Sequence, residues 1–163
     1  MIYKVKVFRN NMFKDHRGNY STSWKKGSHN NISFNHDKFS LSKKNVLRGL
    51  HGDNKTWKLV SCVFGKIFLV VIDFNKKSKS FLKKQSWTLS HQNNVQILIP
   101  PNYANGHLCL SEQCLFHYKL SYKGSYFGAK KQFALKWNDP VLNINWPIKR
   151  PTLSARDKKT KLL

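Results

Sequence analysis

His51 lies in the stretch Val46-Leu-Arg-Gly-Leu-His51-Gly-Asp-Asn-Lys-Thr-Trp-Lys58, which gathers Arg48, His51, Asp53 and Lys58 between the apolar anchors Leu47 and Leu59-Val60. An imidazole titrates near working pH, so it can take up a proton and return it. A lysine ammonium in a dry pocket stabilises the oxyanion of an enolate. A tyrosine can deliver a proton from the opposite face. Base, cation and acid together are the parts of proton transfer beside a carbonyl. In a strand leaving a turn, side chains alternate, which predicts Arg48 and Leu50 on one face and Leu47, Gly49 and His51 on the other. A single histidine in an apolar strand is ordinarily a core residue, and what argues otherwise here is the company it keeps.

Other chemistries find little support. The chain has no glycine-rich phosphate loop, no GxSxG elbow and no HExxH or CxxC motif. Its seven acids (Asp15, Asp37, Asp53, Asp73, Glu112, Asp139 and Asp157) limit any paired-carboxylate scheme. A metal centre would need several histidines and a glutamate converging, and His51, His91, His107 and His117 lack that spacing, so no metal is expected. Cys62, Cys109 and Cys114 have no metal-ligand spacing either. They read as small buried thiols. A turn at Ser111-Glu112-Gln113 could bring Cys109 near Cys114, but a disulfide is not expected in a reducing compartment.

The elements that must position these groups are strands. Alternation predicts a first strand over Ile2–Phe8 and a short one over Ile32–Asn35, with residues 13–20 and 37–44 as loops. Dense β patterning follows at 58–64, 67–73, 81–89, 95–99, 106–110 and 114–122. The run Ile67–Ile72 is continuously apolar, as in a strand covered on both faces. Pro140, Pro147 and Pro151 leave little room for helix near the C-terminus. Short strands separated by Gly, Asn, Ser and Pro turns indicate an all-β sandwich or barrel, and no boundary divides the 163 residues into two domains. No apolar run is long enough to span a membrane and the N-terminus is not a signal peptide, so a soluble cytoplasmic protein is expected.

The net charge of +23 raises the question of a polyanionic partner. The lysines occur as scattered pairs at expected turns, without a basic helix, and abundant Asn and Lys with little Ala is also the bias an AT-rich genome would produce. A nucleic-acid binder using exposed Trp24 and Trp87 is the alternative of a different class; the bias does not require it.

Val46-Leu-Arg-Gly-Leu-His51, Lys58-Leu-Val, Gly65-Lys-Ile-Phe-Leu-Val-Val-Ile-Asp73, Ile99-Pro100, Asn105-Gly106, Tyr118-Lys119, Trp137-Asn-Asp-Pro140, Ile144-Asn-Trp-Pro147 and Pro151-Thr-Leu-Ser-Ala-Arg-Asp157 occur in one collinear order. In that order they resemble the dTDP-4-dehydrorhamnose 3,5-epimerase family over roughly residues 10–157. The resemblance implies a cupin or jelly-roll β-barrel with short irregular or helical C-terminal segments, working without a cofactor. It implies His51 as base, Asp157 as its dyad partner, Lys58 at the enolate oxygen, Tyr118 as acid, and Arg48 and Arg17 at the diphosphate. It also implies a homodimer with an exchanged N-terminal strand, so that Ile2–Phe8 pairs with a partner subunit.

The chain departs from the family pattern at three places. Asn105 stands where an imidazole is usual, Gly52-Asp53-Asn54 replaces a Tyr-Gln, and the aromatics and Glu usual after Arg17-Gly18 are reduced to Asn19-Tyr20. Together with His107, the residues Asp53, Asn54 and Asn105 are the candidates for substrate choice. Here the chain is more similar to the GDP-4-keto-heptose epimerase branch of capsule-sugar synthesis, whose members invert carbon 3 alone or carbons 3 and 5. The implied substrate is a GDP- or dTDP-linked 4-keto-6-deoxy sugar, hexose or heptose. A related cupin 3,4-ketoisomerase is the second enzyme reading.

Overall fold

The computed structural model describes residues 2–163. Two five-stranded antiparallel sheets face each other as a jelly roll. The first runs β1 (Lys6–Arg9), β9 (Val95–Ile99), β6 (Trp57–Phe64), β11 (Gln113–Ser121) and β4 (His36–Lys43). The second runs β12 (Phe133–Ala134), β5 (Leu47–Gly52), β10 (Tyr103–Cys109), β7 (Lys66–Asp73) and β8 (Lys84–Ser90). A hairpin of β2 (Phe13–Asp15) and β3 (Gly18–Tyr20) stands apart, and the only α-helix among the described residues is α1 (Ala155–Lys159). No helix among them is long and apolar enough to cross a membrane.

Strand β7 shows why its sequence is apolar without alternation. Ile67, Leu69 and Val71 join Val60, Ile97, Ile99 and Phe116 between the sheets. Val70 and Ile72 point the other way and pack with Leu50, Ala104, Leu135 and Leu142, the last two supplied by the C-terminal segment. Both faces are covered, as expected. Cys62, Cys109 and Cys114 are buried and free.

Several boundaries differ from the sequence reading. Residues 36–43 form a strand rather than a loop. On this edge strand Phe39 and Leu41 face outward, 61% and 59% exposed, while Ser42 is buried, so the pattern is inverted and does not read as a core strand. Residues 13–20 form a hairpin rather than a loop, with every strand residue exposed. Residues 32–35 are irregular. β1 starts at Lys6, after Lys4 adopts φ 62°, and pairs with β9 of its own chain. β8 starts at Lys84 because residues 81–82 belong to a turn, and β10 starts already at Tyr103.

The most consequential difference lies in β5. His51 pairs with Asn105 and Arg48 with His107, a step of three residues on β5 against two on β10. This bulge inserts one residue at Gly49-Leu50 and resets the alternation. Arg48 and His51, predicted on opposite faces, therefore line the same cavity. Gly49 takes φ +118°, and a Cβ there would lie 2.6 Å from Gly106 Cα and 2.7 Å from the Asn105 carbonyl oxygen. Both neighbours are backbone and cannot yield. Gly49→Ala should lower unfolding stability by roughly 3 kcal/mol or more, read from the denaturant midpoint.

Candidate active site

A cavity of about 590 Å³ opens between the edge strand β4, strands β5, β6, β10 and β11, and the C-terminal segment. The C-terminal segment is delivered to it by backbone pairing. Leu47 N donates to Thr152 O at 3.0 Å, and Thr152 N donates to Asn45 O at 2.8 Å. Ser154 then caps α1: Asp157 N donates to Ser154 Oγ at 3.1 Å, and Ser154 Oγ donates to Asp157 Oδ2 at 2.9 Å. The cap leaves Asp157 Oδ1 facing His51 Nε2 at 2.7 Å.

Asp157 is buried to 4% exposure. Burial alone would raise its pKa, but the hydrogen bonds and charge of His51, with Ser154 and the Gly49 backbone, outweigh it and hold the carboxyl below its ordinary value. An ionised Asp157 accepting at Nε2 selects the tautomer with the lone pair on Nδ1. That nitrogen is the basic one.

Lys58 projects from β6 into the same wall. Its ammonium donates to Asn105 Oδ1 at 2.9 Å and to the His51 carbonyl at 3.2 Å. Burial pushes its pKa from 10.5 down to about 8, partly opposed by the Asp53 carboxylate. Tyr118, on β11, also lines the cavity. Burial raises its pKa, so it remains a protonated phenol at working pH. Its ring packs edge-on to Phe116, centroids 4.4 Å apart. Arg48 is fixed at the mouth by Nε to Ser42 Oγ at 2.9 Å and by a guanidinium nitrogen to the Leu41 carbonyl at 3.1 Å.

The cavity thus unites His51, Lys58, Tyr118, Asp157, Arg48, Asp53 and Asn105. Asp53 forms the turn after β5, its Oδ1 accepting from the N–H groups of Lys55 and Thr56 at 3.0 and 2.7 Å. Three candidates lie elsewhere. Arg17 is on the exposed β2–β3 hairpin, paired with Asp15. Asn54 lines a neighbouring cavity of about 390 Å³ that shares Asp53 as a wall. His107 is 1% exposed and stacked on Phe116 at 4.1 Å, with no partner for either ring nitrogen. Its burial, with Arg48 and His51 nearby, pushes its pKa down to about 3. A neutral, sealed imidazole one pleat below Asn105 is a core group and does not reach the cavity. Trp24 and Trp87 are both partly buried, so neither offers the exposed stacking surface a nucleic-acid reading needed.

Sequence reasoning missed Lys38, Ser40, Thr56, Tyr126, Gln132 and Arg156, which also line the cavity. Lys38 and Ser40 share one face of β4, a signal hidden because that strand read as a loop. Tyr126 sits on a loop held by Lys55, whose ammonium donates to the Ser125 and Lys123 carbonyls and lies 3.8 Å from the centre of the Phe127 ring. Among the described residues no group of three or more His, Cys, Asp or Glu is arranged to hold a metal ion.

Lys38, Arg48, Lys58 and Arg156 outnumber Asp53 and Asp157 in the lining and make the cavity net cationic, with a His–Asp pair and a phenol facing inward. The arrangement suits an anionic substrate carrying an acidic C–H. Comparison with known proteins agrees. The family model described as dTDP-4-dehydrorhamnose 3,5-epimerase matches residues 1–163. The enzyme of that name from Salmonella typhimurium is 36% identical over 168 residues, covering 98% of this chain and 90% of that protein. The Bacillus anthracis dTDP-4-dehydrorhamnose 3,5-epimerase, solved with TDP and PPi bound, superposes with a TM-score of 0.92 at 30% identity, covering 98% of this chain and 94% of that one. A Legionella pneumophila dTDP-6-deoxy-D-glucose-3,5-epimerase in complex with dTDP-4-keto-L-rhamnose gives a TM-score of 0.90 at 32% identity, covering 97% and 87%. The chain belongs to the dTDP-4-dehydrorhamnose 3,5-epimerase family and is an isomerase.

Proposed function

We propose that the protein inverts carbon 3, carbon 5 or both in a nucleotide-linked 4-keto-6-deoxy sugar, hexose or heptose, carried on dTDP or GDP, for surface polysaccharide synthesis. The observation that carries this reading is the His51–Asp157 pair at 2.7 Å in one cavity with Lys58 and Tyr118. His51 Nδ1 removes the proton beside the 4-keto group. The electron pair moves onto the carbonyl oxygen, where a Lys58 N–H stabilises the enolate. Tyr118 then donates its phenolic proton to the opposite face of the same carbon, and solvent returns the proton to Tyr118 and takes that on His51. The ketone already acidifies the neighbouring C–H bonds, so the step calls for no cofactor. Arg48, with Lys38 and Arg156, would hold the diphosphate.

NMR of the products from dTDP- and GDP-linked 4-keto-6-deoxy sugars tests the reading. Inverted configuration at carbon 3 or 5 with the carbonyl still at carbon 4 is expected. A carbonyl moved to carbon 3 would mean a ketoisomerase, and unchanged sugars throughout would contradict both. Tyr118→Phe should reduce net inversion roughly 10²-fold or more while solvent exchange at the substrate carbon persists, because abstraction is left intact. Equal loss of exchange and inversion would contradict the separate roles.

Arg17 also enters through assembly. Its hairpin is exposed along both strands and stacks Phe13 on Tyr20, which are 56% and 68% exposed. Phe39, Leu41, Val63 and Phe64 leave a further apolar surface on the outer side of the first sheet. These surfaces support a homodimer in which the hairpin and its Arg17 serve a partner subunit. Sedimentation as a monomer at micromolar concentration would contradict it.

A further inference from the structure

We propose that Asn105 is a second donor to the oxyanion formed during proton abstraction, its amide oriented for that role by Lys58. The assignment rests on the epimerase reading and concerns a residue where the family pattern is broken. An ammonium donates three hydrogen bonds and accepts none. Lys58 therefore requires oxygen, not nitrogen, on the side of Asn105 that faces it at 2.9 Å, and this fixes the amide orientation. The Asn105 NH2 group is left on the other side. Among the described residues it has no acceptor, and Asn105, 6% exposed, borders the cavity. Lys58 is in the same position. Two of its N–H bonds go to Asn105 Oδ1 and the His51 carbonyl, and the third has no acceptor among the described residues.

Two unspent N–H donors thus adjoin in the wall that carries His51. Both are preorganised, Lys58 by two fixed acceptors and Asn105 by Lys58. Charge developing on a carbonyl oxygen in a water-poor cavity gains most from donors already in place. An aspartate at 105 would neutralise Lys58 and repel the oxyanion, and a histidine would bring its own titration. An amide donates without titrating. Asn105 breaks and forms no covalent bond in the step: the carbon-bound proton goes to His51, and the electron pair goes to the oxygen that Lys58 and Asn105 face.

The test compares wild type, Asn105→Ala and Asn105→Asp with dTDP-4-keto-6-deoxyglucose in deuterated water, alongside binding of dTDP. Asn105→Ala should slow deuterium exchange roughly 10²-fold in kcat, with KM and dTDP affinity within about threefold of wild type. Asn105→Asp should be slow as well, and its alkaline limb should move above the wild-type position because a carboxylate holds the proton on Lys58. Exchange by Asn105→Ala within about threefold of wild type would overturn the assignment, as would parallel loss of exchange and dTDP binding, which marks a structural role. Wild-type protein that exchanges no deuterium with this sugar or with any other dTDP- or GDP-linked 4-keto-6-deoxy sugar would overturn the epimerase reading and this assignment with it.

Discussion

Replacing His51 by asparagine should slow solvent deuterium incorporation beside the keto group by roughly 10³- to 10⁴-fold, at carbon 3 and carbon 5 alike. Asp157 gives up its 2.7 Å bond to Nε2 and keeps the Ser154 hydroxyl as its partner. The asparagine amide reaches only the place of Nδ1. It cannot take up a proton. A cooperative unfolding transition should persist, so the loss of exchange is chemical. Residual exchange within tenfold of wild type would mean that another group serves as base, and His107, sealed at 1% exposure, is not that group.

Lys58→Met should lower kcat by roughly 10²- to 10³-fold, the range typical of a lost oxyanion donor. The pH dependence identifies the charge. Burial depresses Lys58 from 10.5 to about 8, so the ammonium is present below that pH and lost above it. Wild-type turnover should therefore fall as pH rises through about 8. Stability should respond in the opposite sense. Between about 8 and 10.5 the unfolded chain binds a proton at Lys58 that the folded chain has released, so this group makes folding more favourable as pH rises across that window. Lys58→Met should remove that part of the pH dependence. An alkaline limb that survives in Lys58→Met would assign it to another group.

The legible parts of the fold were those where pattern and burial coincide. β9 matches its predicted span, and β7 reads as covered on both faces because Val70 and Ile72 have a C-terminal segment to pack against. β4 was not legible, because Phe39 and Leu41 are exposed while the polar Lys38 and Ser40 line the cavity. His51 and Lys58 share one stretch of sequence, but Tyr118 and Asp157 lie far from it, and it is the capped turn at Ser154 that closes 106 positions between His51 and Asp157 into one hydrogen bond. Strict alternation separated Arg48 from His51. The bulge opposite Gly106 reunites them, and its only trace in the sequence is Gly49. Asp53, named from the sequence among the candidates for substrate choice, is the wall common to two cavities.

On the proposed function, His51 moves a proton at a carbon beside the ketone of a nucleotide-linked sugar. Incubation of the wild-type protein with dTDP- and GDP-linked 4-keto-6-deoxy sugars in deuterated water, followed by NMR of the recovered sugar, tests it most directly. Deuterium is expected at carbon 3, carbon 5 or both with at least one of these substrates, and its loss in His51→Asn. Full retention of protium at both carbons with every substrate would contradict it.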